Sequence, residues 1–167
     1  MTNVVQSDKP FLQRGELYFV AQAGLILCVL LGEVPGFGSL KIFVGPSCFF
    51  GGLAIAALAL TDLGSDSLSP FPATTKTSTL KTTGIYKEMR HPMYSGLLLV
   101  LFGLTILTNS ADRLILTMAL AYLLEMKSNK EEEFLMESFG EDYEAYKEQV
   151  PEKFIPVTLA KEMPWNK

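Results

Sequence analysis

Polar and hydrophobic positions fall into long blocks along this chain. Leu17–Gly32 carries no charge for 16 residues, Ile42–Thr61 for 20, Pro92–Ala111 for 20 and Leu114–Leu124 for 11. Stretches such as GLAIAALAL and GLLLVLFGL are apolar on every face. A helix of a soluble bundle shows polar residues at every third or fourth position, so a soluble core is the lesser reading. About 20 apolar residues cross a hydrocarbon core, within a range of about 17–25. The second and third blocks reach that length. The first does so if its helix begins near Phe11, with Arg14 and Glu16 in the interface. The fourth is short, and Glu125 and Lys127 then face a protein interior or snorkel to the surface. The pattern predicts an all-α polytopic membrane protein with four transmembrane helices, at about 11–31, 42–61, 92–108 and 112–130, followed by one or two cytoplasmic helices.

The residues between and within the blocks refine this. Gly45, Ser47, Gly51, Gly52, Ala54, Ala56 and Ala57 in the second block suit close helix packing in lipid. Thr108–Asp112 is a short polar turn that joins the last two spans into a helical hairpin. The hairpin returns the chain to the side it left, which brings the end of the 62–91 loop near the start of the tail. Pro92 fits the first turn of a helix, where its missing N–H costs nothing. The free N–H groups of that turn suit a carboxylate or another acceptor. Lys127 and Glu131 lie four apart, on one face of a helix that continues from the fourth span. Gly140 reads as a helix stop, and Glu141–Gln149 as a second amphipathic segment ended by Val150-Pro151.

Composition narrows the function classes. The 167 residues are 49% hydrophobic and 19% charged, against about 25% charge in an ordinary soluble domain. The formal net charge of −4 arises wholly from Lys127 onward. With no Lys/Arg cluster to neutralise phosphates, a nucleic-acid binder is excluded. The apolar content excludes a disordered chain. Cys28 and Cys48 lie inside apolar blocks and read as packing residues, not as a disulfide framework. The N-terminal flank holds both charge signs and no clear cleavage pattern, so a secretory signal is a poor reading. The length fits one domain, residues 1–167, with membrane helices over 11–61 and a catalytic region over 62–156. Twelve Lys and Arg fall in the N-terminal segment, the 62–91 loop and the tail, against Lys41 and Arg113 in the other connections. That asymmetry places both termini and the 62–91 loop on the cytoplasmic side. No metal is expected.

Candidate chemistry gathers at that same face. One segment, Thr82 to Gly96, contains the only histidine, His91, at the mouth of the third span. The other runs from Lys127 through Glu131-Glu132-Glu133 to Tyr146. Taken alone, Arg90-His91 also reads as an interfacial anchor and Glu131–Glu133 as a solvated helix start. Together the strings GIYKEMRHPMYSG and EEEFLMESFGEDYEAYKEQVPEKFIP resemble the isoprenylcysteine carboxyl methyltransferase family of integral-membrane enzymes, whose relatives include phospholipid N-methyltransferases. The shared patterns are G-x-Y-x-x-x-R-H-P-x-Y-x-G and E-E-x-x-L-x-x-x-F-G-x-x-Y-x-x-Y, and the resemblance covers Thr61 to Pro156.

The resemblance implies S-adenosyl-L-methionine as cofactor, with contacts falling on Tyr86, His91, Pro92, Met93, Tyr94 and Glu131. It implies that Lys127, four before the motif glutamate, faces the acceptor. Characterised isoprenylcysteine enzymes carry Arg there. Lys keeps the charge but loses the planar fork that grips a carboxylate. Methyl transfer from a sulfonium brings both reactants towards neutrality, so a dry site favours it, and the protein contributes chiefly alignment. A carboxylate acceptor needs a cation to hold it, whereas an amine must first lose a proton to a base. The preferred acceptor is therefore a carboxylate on a lipid-anchored group such as a C-terminal S-isoprenylcysteine, with a phospholipid or other amphiphile amine as the alternative. The acceptor reaches the site sideways from the lipid bilayer. A sterol-reductase-like oxidoreductase shares a similar C-terminal layout but favours an Arg-rich stretch that 127–133 lacks, and a non-enzymatic scaffold is the remaining reading. The family-level location is the endoplasmic reticulum in a eukaryote or the inner membrane in a bacterium, with plastid membranes also open.

Overall fold

Four charge-free blocks produce four principal helices, because a backbone without polar neighbours satisfies its N–H and C=O groups most completely within a helix. The computed structural model describes residues 16–31, 42–64, 79–154 and 156, apart from the side chains of residues 16 and 28–31. The helices are α1 (Glu16–Leu31), α2 (Val44–Leu63), α3 (Pro92–Leu107), α4 (Ala111–Phe139) and α5 (Glu141–Gln149), with a 3-10 turn over Gly84–Lys87 before α3. No strand occurs among the described residues. Residues 11–15 of the expected first helix, the connection holding Lys41, positions 65–78 of the loop, the tail beyond 156 and the Cys28 side chain lie outside the described part. Cys48 is a free, half-buried thiol.

Contacts along the helices fix their directions. Thr105 meets Thr117 across α3 and α4 at 3.5 Å, and Leu101 packs with Leu120 and Leu124, so these helices form an antiparallel hairpin. Its corner is tight: Asn109 takes a positive φ of 56°, the amide of Ser110 bonds back to the Thr105 carbonyl at 3.1 Å, and the Ser110 hydroxyl bonds Asp112. Leu25 and Ile26 of α1 pack on the same Leu101–Leu120–Leu124 core.

α2 lies antiparallel to α3 at very close range. A Cβ built on Gly52 would stand 2.6 Å from the Gly96 carbonyl oxygen, and one on Gly103 2.5 Å from the Phe49 amide nitrogen. Of the small residues in the second block, Gly45, Gly52 and Ala56 form this seam, whereas Gly51 meets only Leu99 at 3.8 Å. Gly52→Ala is therefore expected to cost about 1–3 kcal/mol by overpacking, and Gly51→Ala to be near neutral. Thermal melts of the two variants in one detergent compare them directly; equal melting temperatures would discredit the seam.

The outer surface is apolar. Phe50 is 67% exposed, Ile115 69% and Met118 64%. Among the described residues one helix, Val44–Leu63, is long and apolar enough to cross a membrane. α3 has 16 residues, or about 24 Å at 1.5 Å per residue, less than the roughly 30 Å of a hydrocarbon core. α4 continues past the fourth block, as the spacing of Lys127 and Glu131 predicts. It runs unbroken for 29 residues, carrying its apolar half straight into Lys127–Glu133 until Gly140 ends it with a φ of 53°.

Candidate functional site

With α1 and α3 antiparallel to α4, and α2 antiparallel to α3, the polar residues collect at one end of the bundle. Gln22, Asp62, the 3-10 turn, the start of α3, the Glu125–Glu132 stretch of α4, and the chain after α5 all meet there. Pro92 occupies the first turn of α3, as its sequence position predicts. The amide of Tyr94 is turned back onto the His91 carbonyl at 3.1 Å, so that N–H is used locally rather than held for an acceptor.

The centre is a row of buried groups contributed by α3 and α4. The Tyr94 hydroxyl donates to Glu131 Oε1 at 2.5 Å, and His91 Nδ1 lies 3.6 Å from Glu131 Oε2. The opposite ring nitrogen, His91 Nε2, lies 3.2 Å from Glu132 Oε1. The His91 and Tyr94 rings are parallel with centroids 5.5 Å apart, and the Phe154 ring lies 6.0 Å from His91. Burial pushes the Glu131 carboxyl above the usual carboxylate range, against the pull of His91, the Tyr94 hydroxyl and Lys127. Tyr86 is buried beside this row. Its phenol is pushed up to about 12, first by burial and then by the charges of Asp62 and Glu131. Met93 is half-buried on the same first turn as buried Pro92.

Lys127 sits one helical turn deeper along α4. It is only 4% exposed, so it does not snorkel to the surface. Its ammonium donates to Gln22 Oε1 of α1 at 3.0 Å and lies 5.1 Å from the centre of the Tyr94 ring. The six expected cofactor positions and Lys127 are thus neighbours, drawn from the 3-10 turn, α3 and α4.

The residue that ties this end together, Glu132, is not marked out by the sequence pattern. Glu132 accepts from Arg90 Nε at 3.0 Å and faces His91, while its second oxygen lies 3.5 Å from Lys147 of α5. Burial alone would raise its carboxyl, but the His91 hydrogen bond and the Arg90 ion pair hold it down at about 2. Arg90 also donates to the Val150 carbonyl at 2.6 Å. Beyond it the chain pairs with the motif: the amides of Arg90 and His91 donate to the carbonyls of Glu152 and Lys153 at 3.1 and 2.9 Å, and the Ser95 hydroxyl donates to that of Phe154 at 2.7 Å. Lys153 then reaches Glu125 at 2.7 Å. The Tyr146 hydroxyl donates to the Tyr86 carbonyl at 2.7 Å. Tyr146 of the second motif therefore buttresses the first motif. Only the E-E pair and the R-H dipeptide signalled this in the sequence, and neither says which carboxylate faces which base. No cluster suited to a metal occurs among the described residues.

The described helices thus expose apolar side chains on their outer surface and carry one buried polar row at the end of the bundle. Residues 40–142 match the phospholipid methyltransferase family, and the chain belongs to that family. It is a methyltransferase. It is similar to a protein-S-isoprenylcysteine O-methyltransferase of Schizosaccharomyces pombe, 29% identical over 166 residues that cover 86% of this chain and 69% of that protein. A probable protein-S-isoprenylcysteine O-methyltransferase of Oryza sativa subsp. indica is 38% identical over 72 residues, 42% of this chain and 38% of the rice protein. Its counterpart in subsp. japonica gives the same figures. Family membership replaces the sterol-reductase and scaffold readings.

Proposed function

We propose that this protein is an S-adenosylmethionine-dependent O-methyltransferase that acts on a carboxylate of a lipid-anchored acceptor, such as a C-terminal S-isoprenylcysteine. Its four principal helices lie in a bilayer with the polar end and both termini on the cytoplasmic side. The single observation that carries the choice of acceptor is how the possible bases are occupied. Both nitrogens of His91 face carboxylates, and Glu131 accepts the Tyr94 hydroxyl while facing His91. An amine acceptor would need one of them free to take a proton. A carboxylate needs a cation, and Lys127 is buried one turn from Glu131.

The residues suit the cofactor's chemistry. Glu131 offers carboxylate oxygens to a cationic or hydroxylic group, and His91, Tyr94 and Phe154 offer flat faces. Tyr86, His91, Pro92, Met93, Tyr94 and Glu131 would hold it; when bound it supplies the activated methyl group. The apolar helices around this end exclude water and let a lipophilic acceptor approach from the side. Lys127 holds and orients the acceptor carboxylate.

The relatives' names favour this reading, while the family's own description favours a second one, methylation of a phospholipid amine. Radiolabelled-methyl transfer by the purified protein in lipid vesicles, with a prenylcysteine analogue and phosphatidylethanolamine offered in parallel, separates them. Label in the prenylcysteine ester is expected. Label only in the phospholipid would overturn the carboxylate acceptor. Lys127→Met is expected to slow transfer to prenylcysteine roughly ten- to a hundredfold, the worth of one charge-assisted hydrogen bond of about 1.5–3 kcal/mol, with cofactor affinity retained. Full activity in that variant would remove Lys127 from the reaction.

A further inference from the structure

Between Leu17 and Gly32 the first helix has one amide or charged side chain, Gln22. A polar group in such a segment carries a cost and marks a use. α1 lies outside the region matched to the family, which begins at residue 40. Three and four residues beyond Gln22, Leu25 and Ile26 pack on the Leu101–Leu120–Leu124 core. The three therefore share one helical face, which turns Gln22 towards α4. There its carbonyl oxygen accepts from the Lys127 ammonium at 3.0 Å.

A lysine ammonium has three donors and no acceptor. In this site one donor is taken by Gln22, and the face of Tyr94 lies 5.1 Å away on another side. The neutral amide occupies one direction of the ammonium without adding negative charge to that of Glu131, one turn along α4, so the cation stays available to an anion. A carboxylate at position 22 would instead neutralise it.

We propose that Gln22 is a positioning residue that aims the Lys127 ammonium at an anionic acceptor and, by being uncharged, keeps that site selective for anions. The inference rests on the carboxylate-acceptor reading above. Gln22 reaches the cofactor positions only through Lys127, so its replacement is expected to act on the acceptor far more than on cofactor affinity.

The test uses the full chain in lipid vesicles with a prenylcysteine analogue and S-adenosylmethionine, comparing wild type with Gln22→Glu and Gln22→Leu. In Gln22→Glu a Lys–Glu ion pair keeps α1 joined to α4, so melting temperature and cofactor affinity are expected to hold. The KM for the analogue is expected to rise about tenfold or more, since the anion's partner is now satisfied within the protein. Gln22→Leu removes the aim and is expected to raise KM similarly, with cofactor affinity again unchanged. If Gln22→Glu keeps the wild-type KM, Gln22 is a helix-joining contact only and the inference falls, whatever Gln22→Leu does. If wild type itself does not methylate the analogue, the proposed function falls and takes this inference with it. Wild-type turnover with an unaltered KM in Gln22→Glu overturns the inference alone.

Discussion

Replacing Glu131 by glutamine is expected to weaken S-adenosylmethionine binding by about ten- to a hundredfold while the bundle stays folded. The carboxylate stands at the middle of the polar row, with Tyr94 on one oxygen and His91 facing the other. Glutamine keeps its size and one acceptor, so the helices need not repack. What disappears is the negative charge: a hydrogen bond to a charged group is worth about 1.5–3 kcal/mol against about 0.5–1.5 for a neutral one, so one or two weakened bonds account for the loss. Equilibrium binding in detergent measures it. His91→Ala is expected to lose cofactor affinity as well, but less cleanly, because His91 also bonds Glu132 and its removal disturbs the fold. Unchanged affinity in both variants would show that the cofactor binds elsewhere.

The second large effect is on stability. Glu132→Ala leaves the buried Arg90 guanidinium without its carboxylate, and breaking one side of a buried pair costs about 3–5 kcal/mol. Glu133→Ala is the control: Glu133 pairs with Lys130 on the surface, both side chains being well exposed, and such pairs are worth about 0–1 kcal/mol. Denaturation in detergent reads the difference. Amide exchange at Arg90 and His91 adds a local readout, because their partners in the 150–154 segment are held by the same Arg90. A loss no larger than that of the control would mean that Glu132 is not a strut. The sign with pH follows from its carboxyl, which lies near 2 in the folded chain against an ordinary 4.5. Its stabilisation is complete above about pH 4.5 and is lost progressively as pH falls through 2. Glu132→Gln is expected to be less stable at neutral pH and to lack that part of the acid transition.

Helix positions were legible because burial in a helix needs only a run of apolar side chains. α2 at Val44–Leu63 and α3 at Pro92–Leu107 begin and end within about two residues of the charge-gap expectations of 42–61 and 92–108. The stop at Gly140 was legible for a local reason too, since its positive φ favours glycine. The pairing of the two motifs was legible from the short hairpin between them, and His91 and Glu131 do meet. The continuation of α4 beyond the fourth span, up to Gly140, was legible too. Nothing local ends a helix at Lys130, and charged residues continue one readily once tertiary partners take their charges.

The chain's order of apolar and polar residues thus determined by itself that the protein is helical, where the helices lie, and that its polar chemistry collects at one end. Those are properties of single segments and of the lengths of the turns between them. Which residues touch was decided only in three dimensions. That Glu132 rather than Glu131 takes Arg90, that Lys127 turns inward to Gln22, and that residues 150–154 pair with Arg90 and His91 all depend on separations of 42, 105 and about 60 positions. Adjacent glutamates have the same composition and nearly the same spacing to every motif. They point about 100° apart on the helix, and only the packing of α3, α5 and the tail against that helix gives each carboxylate its partner.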